Sequence, residues 1–113
     1  MSNVVGLKLE TLRDRGGIRS VDVANMLNTT PETVSRWNQG HAYPRARNER
    51  TLNDLEYIVE RLSEFYSDPR TARAWMFSRH TFFNGERPAD LIQDGRAEEV
   101  LEAIQVMANH DYT

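Results

Sequence analysis

The stretch SVDVANMLNTTPETVSRWNQGHAYP, residues 20–44, decides how the chain folds. Ser20 is placed to cap a short helix whose apolar positions are Val21, Val23, Ala24 and Leu27. Asn28-Thr29 reads as a turn. Thr30-Pro31 then starts a second helix, since a threonine oxygen caps and proline tolerates the first helical position. Glu32 stands one position too early to complete a capping box with Thr30. Val34 and Trp37, three apart, share one face, and the helix stops at Gly40, with Pro44 closing the following loop. Two short helices that cross steeply need a small residue where they touch, and Ala24 supplies it. The arrangement is a helix, a tight turn and a helix.

Outward from this stretch the punctuation stays helical. Val4, Val5, Leu7, Leu9 and Leu12 predict an amphipathic helix ending at Gly16-Gly17. From Asn48 the longest helix is expected, with Leu52, Leu55, Val59, Leu62 and Tyr66 as its apolar stripe. Ile58 and Phe65 widen that stripe enough for two neighbouring elements or a second subunit. Ser67-Asp68-Pro69 breaks the helix and opens another, carrying Ala72, Ala74, Trp75 and Met76. Residues 78–86 lack a helical period and contain Asn84-Gly85, so they read as a loop. Residues 88–95 form a short helix with proline first and glycine last. A final helix from Glu98 to Ala108 turns Val100, Leu101, Ile104, Met107 and Ala108 inward. No segment alternates long enough for a strand, so the fold class is all-α with about seven helices.

At 113 residues the chain has room for one domain, or two very small modules sharing a core. It contains no cysteine, which excludes a disulfide framework, a thiolate metal site and a cysteine nucleophile. Apolar runs are too short to span a bilayer, and the first residues lack a secretory pattern, so a cytoplasmic protein without membrane contact is expected. Charge is unevenly placed. Residues 1–47 carry seven basic and four acidic side chains, whereas residues 48–113 carry seven basic and thirteen acidic. A basic front on an acidic back suggests two different partners. Thirteen of the fourteen basic residues are arginine, whose planar fork suits phosphate and carboxylate.

Val23-Ala24, Thr30, Val34-Ser35-Arg36-Trp37, Gly40 and Pro44 resemble the Xre, or lambda-repressor-like, helix-turn-helix. Asn38 stands where that family usually has glutamate, which weakens a local salt bridge and leaves the fold untouched. The resemblance implies that Glu32, Thr33 and Arg36 project into the DNA major groove, with Arg36 the best reader of guanine. Thr30, Gln39, His41 and Arg45 would then face phosphates. Glu32 tells against DNA unless it accepts from cytosine, and the net charge of −3 implies weak monomer binding, so a dimer is expected.

A second resemblance lies in residues 72–113. Trp75, Phe82-Phe83, Gly85, Pro88, Leu91, Gly95, Val100 and Leu101 are similar to the toxin-binding domain of the MbcA/ParS/Xre family. It implies an antitoxin that binds a RES-domain toxin consuming NAD, occludes its active-site cleft, and regulates its own operon through operator DNA. The implied assembly is a homodimer or a larger toxin–antitoxin hetero-oligomer. Candidate toxin contacts are Arg79, His80 and Phe82 in the loop, Glu98 and Glu102 on the last helix, and Asp111, Tyr112 and Thr113 in the tail. One of the two adjacent phenylalanines is assigned to the core. The expected organisation is a helix-turn-helix region over 1–47, a connecting or dimerising helix over 48–67, and a small helical toxin-binding module over 68–113. Two other readings remain at this stage: a plain Xre-type transcription regulator whose back half only dimerises, and a ParS-like scaffold.

Enzymatic chemistry finds little support. His41, His80 and His110 lie in separate segments without a carboxylate at ligand spacing, so no metal site is expected. No nucleophile elbow, phosphate loop or dinucleotide fingerprint occurs, and no cofactor is implied.

Overall fold

The computed structural model describes residues 3–110 (for His110 the backbone only). Seven α-helices follow one another: α1 Val4–Gly16, α2 Ser20–Met26, α3 Pro31–Asn38, α4 Ala46–Phe65, α5 Pro69–Phe77, α6 Pro88–Gln93 and α7 Ala97–His110. A 3₁₀ turn, Thr81–Phe83, lies between α5 and α6. Among the described residues no strand forms, and a lone bridge joins His80 to Glu86. The expected all-α class is what the chain adopts.

Local chemistry sets the ends of these helices. Asn3 caps α1 by accepting from the Val5 amide at 3.1 Å, while its own amide donates to the Trp37 carbonyl at 2.6 Å. Gly17 ends α1 at φ 62°, returning its N–H to the Arg13 carbonyl, and the Ile18 N–H reaches the Leu12 carbonyl. Thr30 caps α3 as expected, accepting from the Thr33 amide at 3.1 Å. The cap of α2 differs from expectation. Arg19 occupies the cap position and Ser20 is already helical; the carboxylate of Asp22 accepts from the Arg19 amide at 2.8 Å instead. The long helix also starts at Ala46, two residues before the expected Asn48, because the chain turns helical as soon as Arg45 leaves its extended conformation.

One core joins both halves. Leu12, Ile18, Val23, Val34, Leu52, Leu55, Ile58, Leu62, Met76, Leu91 and Ile104 are all essentially inaccessible to water. Burying a side chain of this size contributes roughly 1.5–3 kcal/mol. The broad apolar face of α4 is covered within the chain, chiefly by α1 and α7, with α5 packed against both α1 and α4. Gly16 lets α1 and α4 approach closely, since a Cβ there would lie 2.9 Å from the Val59 methyl. Val21, one of the apolar positions of α2, is exposed, whereas Met26 and Asp22 are buried beside Val23 and Ala24.

Candidate functional site

Two side-chain ties link α2 and the turn after it to α5 and α6. Asp22 on α2, only 7% exposed, accepts from Arg73 of α5 at 2.7 and 3.3 Å. Arg73 also donates to the Gly17 carbonyl at 2.6 Å and lies over the Phe77 ring. Burial by itself would raise the Asp22 carboxyl, but the hydrogen bonds from Arg73 and from the Arg19 amide, with both positive charges, hold it below the usual aspartate range. The second tie is in the α2–α3 turn. Asn28, in the left-handed region at φ 56°, donates to the Gln93 carbonyl at 2.9 Å and accepts from the Gln93 amide at 3.4 Å.

The residues expected to meet DNA occupy one outer region. Glu32 and Arg36 are exposed on α3, Gln39 and His41 are exposed just beyond it, and Arg45 is exposed at the start of α4. Thr30 and Thr33 are engaged with each other, their hydroxyls 2.9 Å apart. Among the described residues no carboxylate lies within ion-pair reach of Arg36 or Arg45.

The loop after α5 builds an aromatic cluster. Trp75 packs edge-on against Phe83, their centroids 6.2 Å apart. His80 stacks on Phe82 at 5.0 Å, and its Nε2 donates to the Trp75 carbonyl at 2.8 Å. Phe83 is buried, as assigned for one of the pair, while Phe82 is 59% exposed. Arg79 is held by donating to the Gly85 carbonyl at 3.0 Å. Beside this cluster runs an open groove of about 520 Å³ between Phe82, Phe83 and one face of α7. Glu99, Glu102, Ala103, Val106 and Met107 form that face, and Val106 is exposed.

Of the expected contacts, Phe82 and Glu102 line the groove together, with His80 stacked behind Phe82. Glu98 points elsewhere, into a cleft against α4 beside Asp54. There burial, then the negative charge of Glu98, raises the Asp54 carboxyl, with Arg50 opposing. Glu99, Val106 and Met107 were not singled out as contacts, although Glu99, Glu102, Ala103 and Val106 repeat at three- and four-residue spacing along α7. Glu99 is bonded by Arg96 at 2.6 Å, which holds its carboxyl below the usual range, and Arg96 also reaches Glu86 at 3.1 Å. Asp111, Tyr112 and Thr113 lie outside the described residues.

The groove is apolar and rimmed by carboxylates, and it lies beside the aromatic cluster. Residues 61–108, which contain it, match the antitoxin Xre/MbcA/ParS C-terminal toxin-binding domain. The mycobacterial cidal antitoxin MbcA of Mycobacterium tuberculosis is 33% identical over 107 residues, covering 94% of this chain and 93% of the relative, and MbcA of Mycobacterium bovis matches equally. A probable mycobacterial cidal antitoxin of M. tuberculosis is 30% identical over 96 residues, 85% of this chain and 81% of the relative. The crystal structure of the M. tuberculosis MbcT–MbcA toxin–antitoxin complex contains a chain that superposes with a TM-score of 0.81 at 30% identity, covering 96% of this chain and 97% of that one. The chain belongs to the Xre/MbcA/ParS family of antitoxins.

Proposed function

We propose that this protein binds and neutralises a RES-domain toxin that degrades NAD, occluding the toxin's active-site cleft, and that it regulates its own operon through the α2–α3 region. The observation that carries the first part is the Phe82–Val106 groove, open and apolar within the segment matched to a toxin-binding domain. Burial of Phe82 and Val106 in a partner supplies the driving force, and Glu102 at the rim selects a basic cleft. Asp111, Tyr112 and Thr113 are further proposed contacts with that cleft. Arg36 reads the operator, and Thr30, Glu32, Thr33, Gln39, His41 and Arg45 complete its contacts. A dimer, or a hetero-oligomer with toxin, compensates for the weak electrostatic hold of one acidic chain.

Co-expression with the product of the neighbouring gene, followed by co-purification and a cellular NAD assay, tests this reading. The native chain should co-purify and preserve NAD. The Phe82→Ser/Val106→Ser double variant should fold, lose at least tenfold in affinity and fail to protect. Deleting residues 111–113 should keep the complex and weaken inhibition. Full protection by the double variant would overturn the assignment of the groove.

A further inference from the structure

The arginines of this chain divide into two populations. Arg13, Arg19, Arg61, Arg70, Arg73, Arg87 and Arg96 each lie within 4 Å of a carboxylate. Among the described residues Arg15, Arg36 and Arg79, elsewhere in the chain, do not, and neither do Arg45, Arg47 and Arg50, which follow one another closely, although the chain has more acids than bases. All three are exposed around the first turns of α4. Arg47 and Arg50 are one turn apart and therefore neighbours on the helix surface. Arg45 and Arg47 border a cleft of about 260 Å³ that is also lined by the turn at Asn28 and by Gln93 and Gly95 after α6. The next cleft along shares Arg47 and adds Arg50, and it ends at Asp54 and Glu98.

Guanidinium groups left without carboxylates, fanned along one ridge, match the spaced anions of a phosphodiester strand. We propose that Arg45, Arg47 and Arg50 form a backbone clamp for duplex DNA, and that the strand crosses the cleft to touch the toxin-binding module at Gln93 and Gly95. The clamp deepens the operator-binding reading and rests on it. Its contribution is independent of base sequence, so it adds affinity while Arg36 supplies discrimination. Asp54 and Glu98 repel phosphate and fix where the strand leaves the ridge.

The test uses the full chain and two fluorescent duplexes of equal length, one from upstream of its own gene and one scrambled, titrated across about 50–300 mM salt. For Arg47→Gln/Arg50→Gln the slope of log affinity against log salt should fall by roughly 2, with a loss on the order of 50-fold at 0.1 M salt for both duplexes alike. Both side chains are exposed, so melting should be unchanged. A charge control, Arg13→Gln/Arg15→Gln, removes two cations at the far end of α1 and should change affinity by less than about threefold. An unchanged slope in the clamp variant, or an equal loss in the control, overturns the clamp. If the clamp fails while Arg36→Ala still abolishes discrimination between the duplexes, operator binding stands without it. If the native chain binds neither duplex, operator binding and the clamp fall together.

Discussion

Replacing Asp22 by alanine removes one carboxylate and two of its duties at once. It leaves the Arg19 amide uncapped at the start of α2, which costs about 1 kcal/mol. It also leaves Arg73, whose side chain is 32% exposed, without its charged partner, and a charge-assisted hydrogen bond of that kind is worth roughly 1.5–3 kcal/mol. The expected loss is about 3 kcal/mol, or on the order of 12 °C in melting temperature for a domain of this size. Urea and thermal unfolding followed by circular dichroism measure it. Arg73→Met should be similarly harmful, because it strands a buried carboxylate, and the double variant should be less harmful than the two losses added. The pH dependence has a fixed sign. The folded carboxyl titrates below the unfolded one, so its contribution is complete above the ordinary aspartate range and disappears as pH falls through the lower folded value. The gap between native protein and Asp22→Asn should therefore close below about pH 4. A melting change under about 3 °C for Asp22→Ala, or strict additivity with Arg73→Met, would refute the reasoning.

Other substitutions separate further causes. Asp54→Asn should raise the melting temperature at pH 7 and have no effect at about pH 3, because burial and Glu98 raise the folded carboxyl and its ionisation opposes folding; calorimetry at both pH values checks this. Gly17→Ala should cost about 2 kcal/mol, since φ is 62° and the new Cβ meets the Pro69 carbonyl at 3.0 Å. Gly95→Ala, at φ 80° with open space around it, should cost about 1 kcal/mol, and a reversed order in urea midpoints would contradict the packing of α1 on α5. Phe83→Ala should cost about 3 kcal/mol by denaturation, whereas Phe82→Ser should leave unfolding nearly unchanged and show its effect only on complex formation.

Much of the helical plan was legible because its signals are short-range. The Thr30-Pro31 start, the stop before Gly17 and the three- and four-residue stripe of α4 depend on neighbours along the chain. What escaped was tertiary. Ser20 seemed the natural cap for α2, yet Asp22 does that work because Arg73, 51 positions away, stabilises its buried charge. Val21 has the right chemistry for a core position, but α2 turns its Val23, Ala24 and Met26 face inward. The groove was half visible. Phe82 and Glu102 carried a signal, whereas Glu98 looked equivalent to Glu102 until α4 claimed its side of the helix. The free arginines of α4 were invisible as a group, since only a folded chain shows which cations find carboxylates.

The turn at Asn28 has a bearing on how such genes can be rearranged. Its left-handed backbone is latched by a glutamine 65 residues later, and the Asp22–Arg73 pair crosses the same boundary. A hybrid made by splicing the first 44 residues of one homologue onto the remainder of another would inherit mismatched latches and a misfitted interior. Recombination that preserves folding must therefore keep the two sides of that boundary matched.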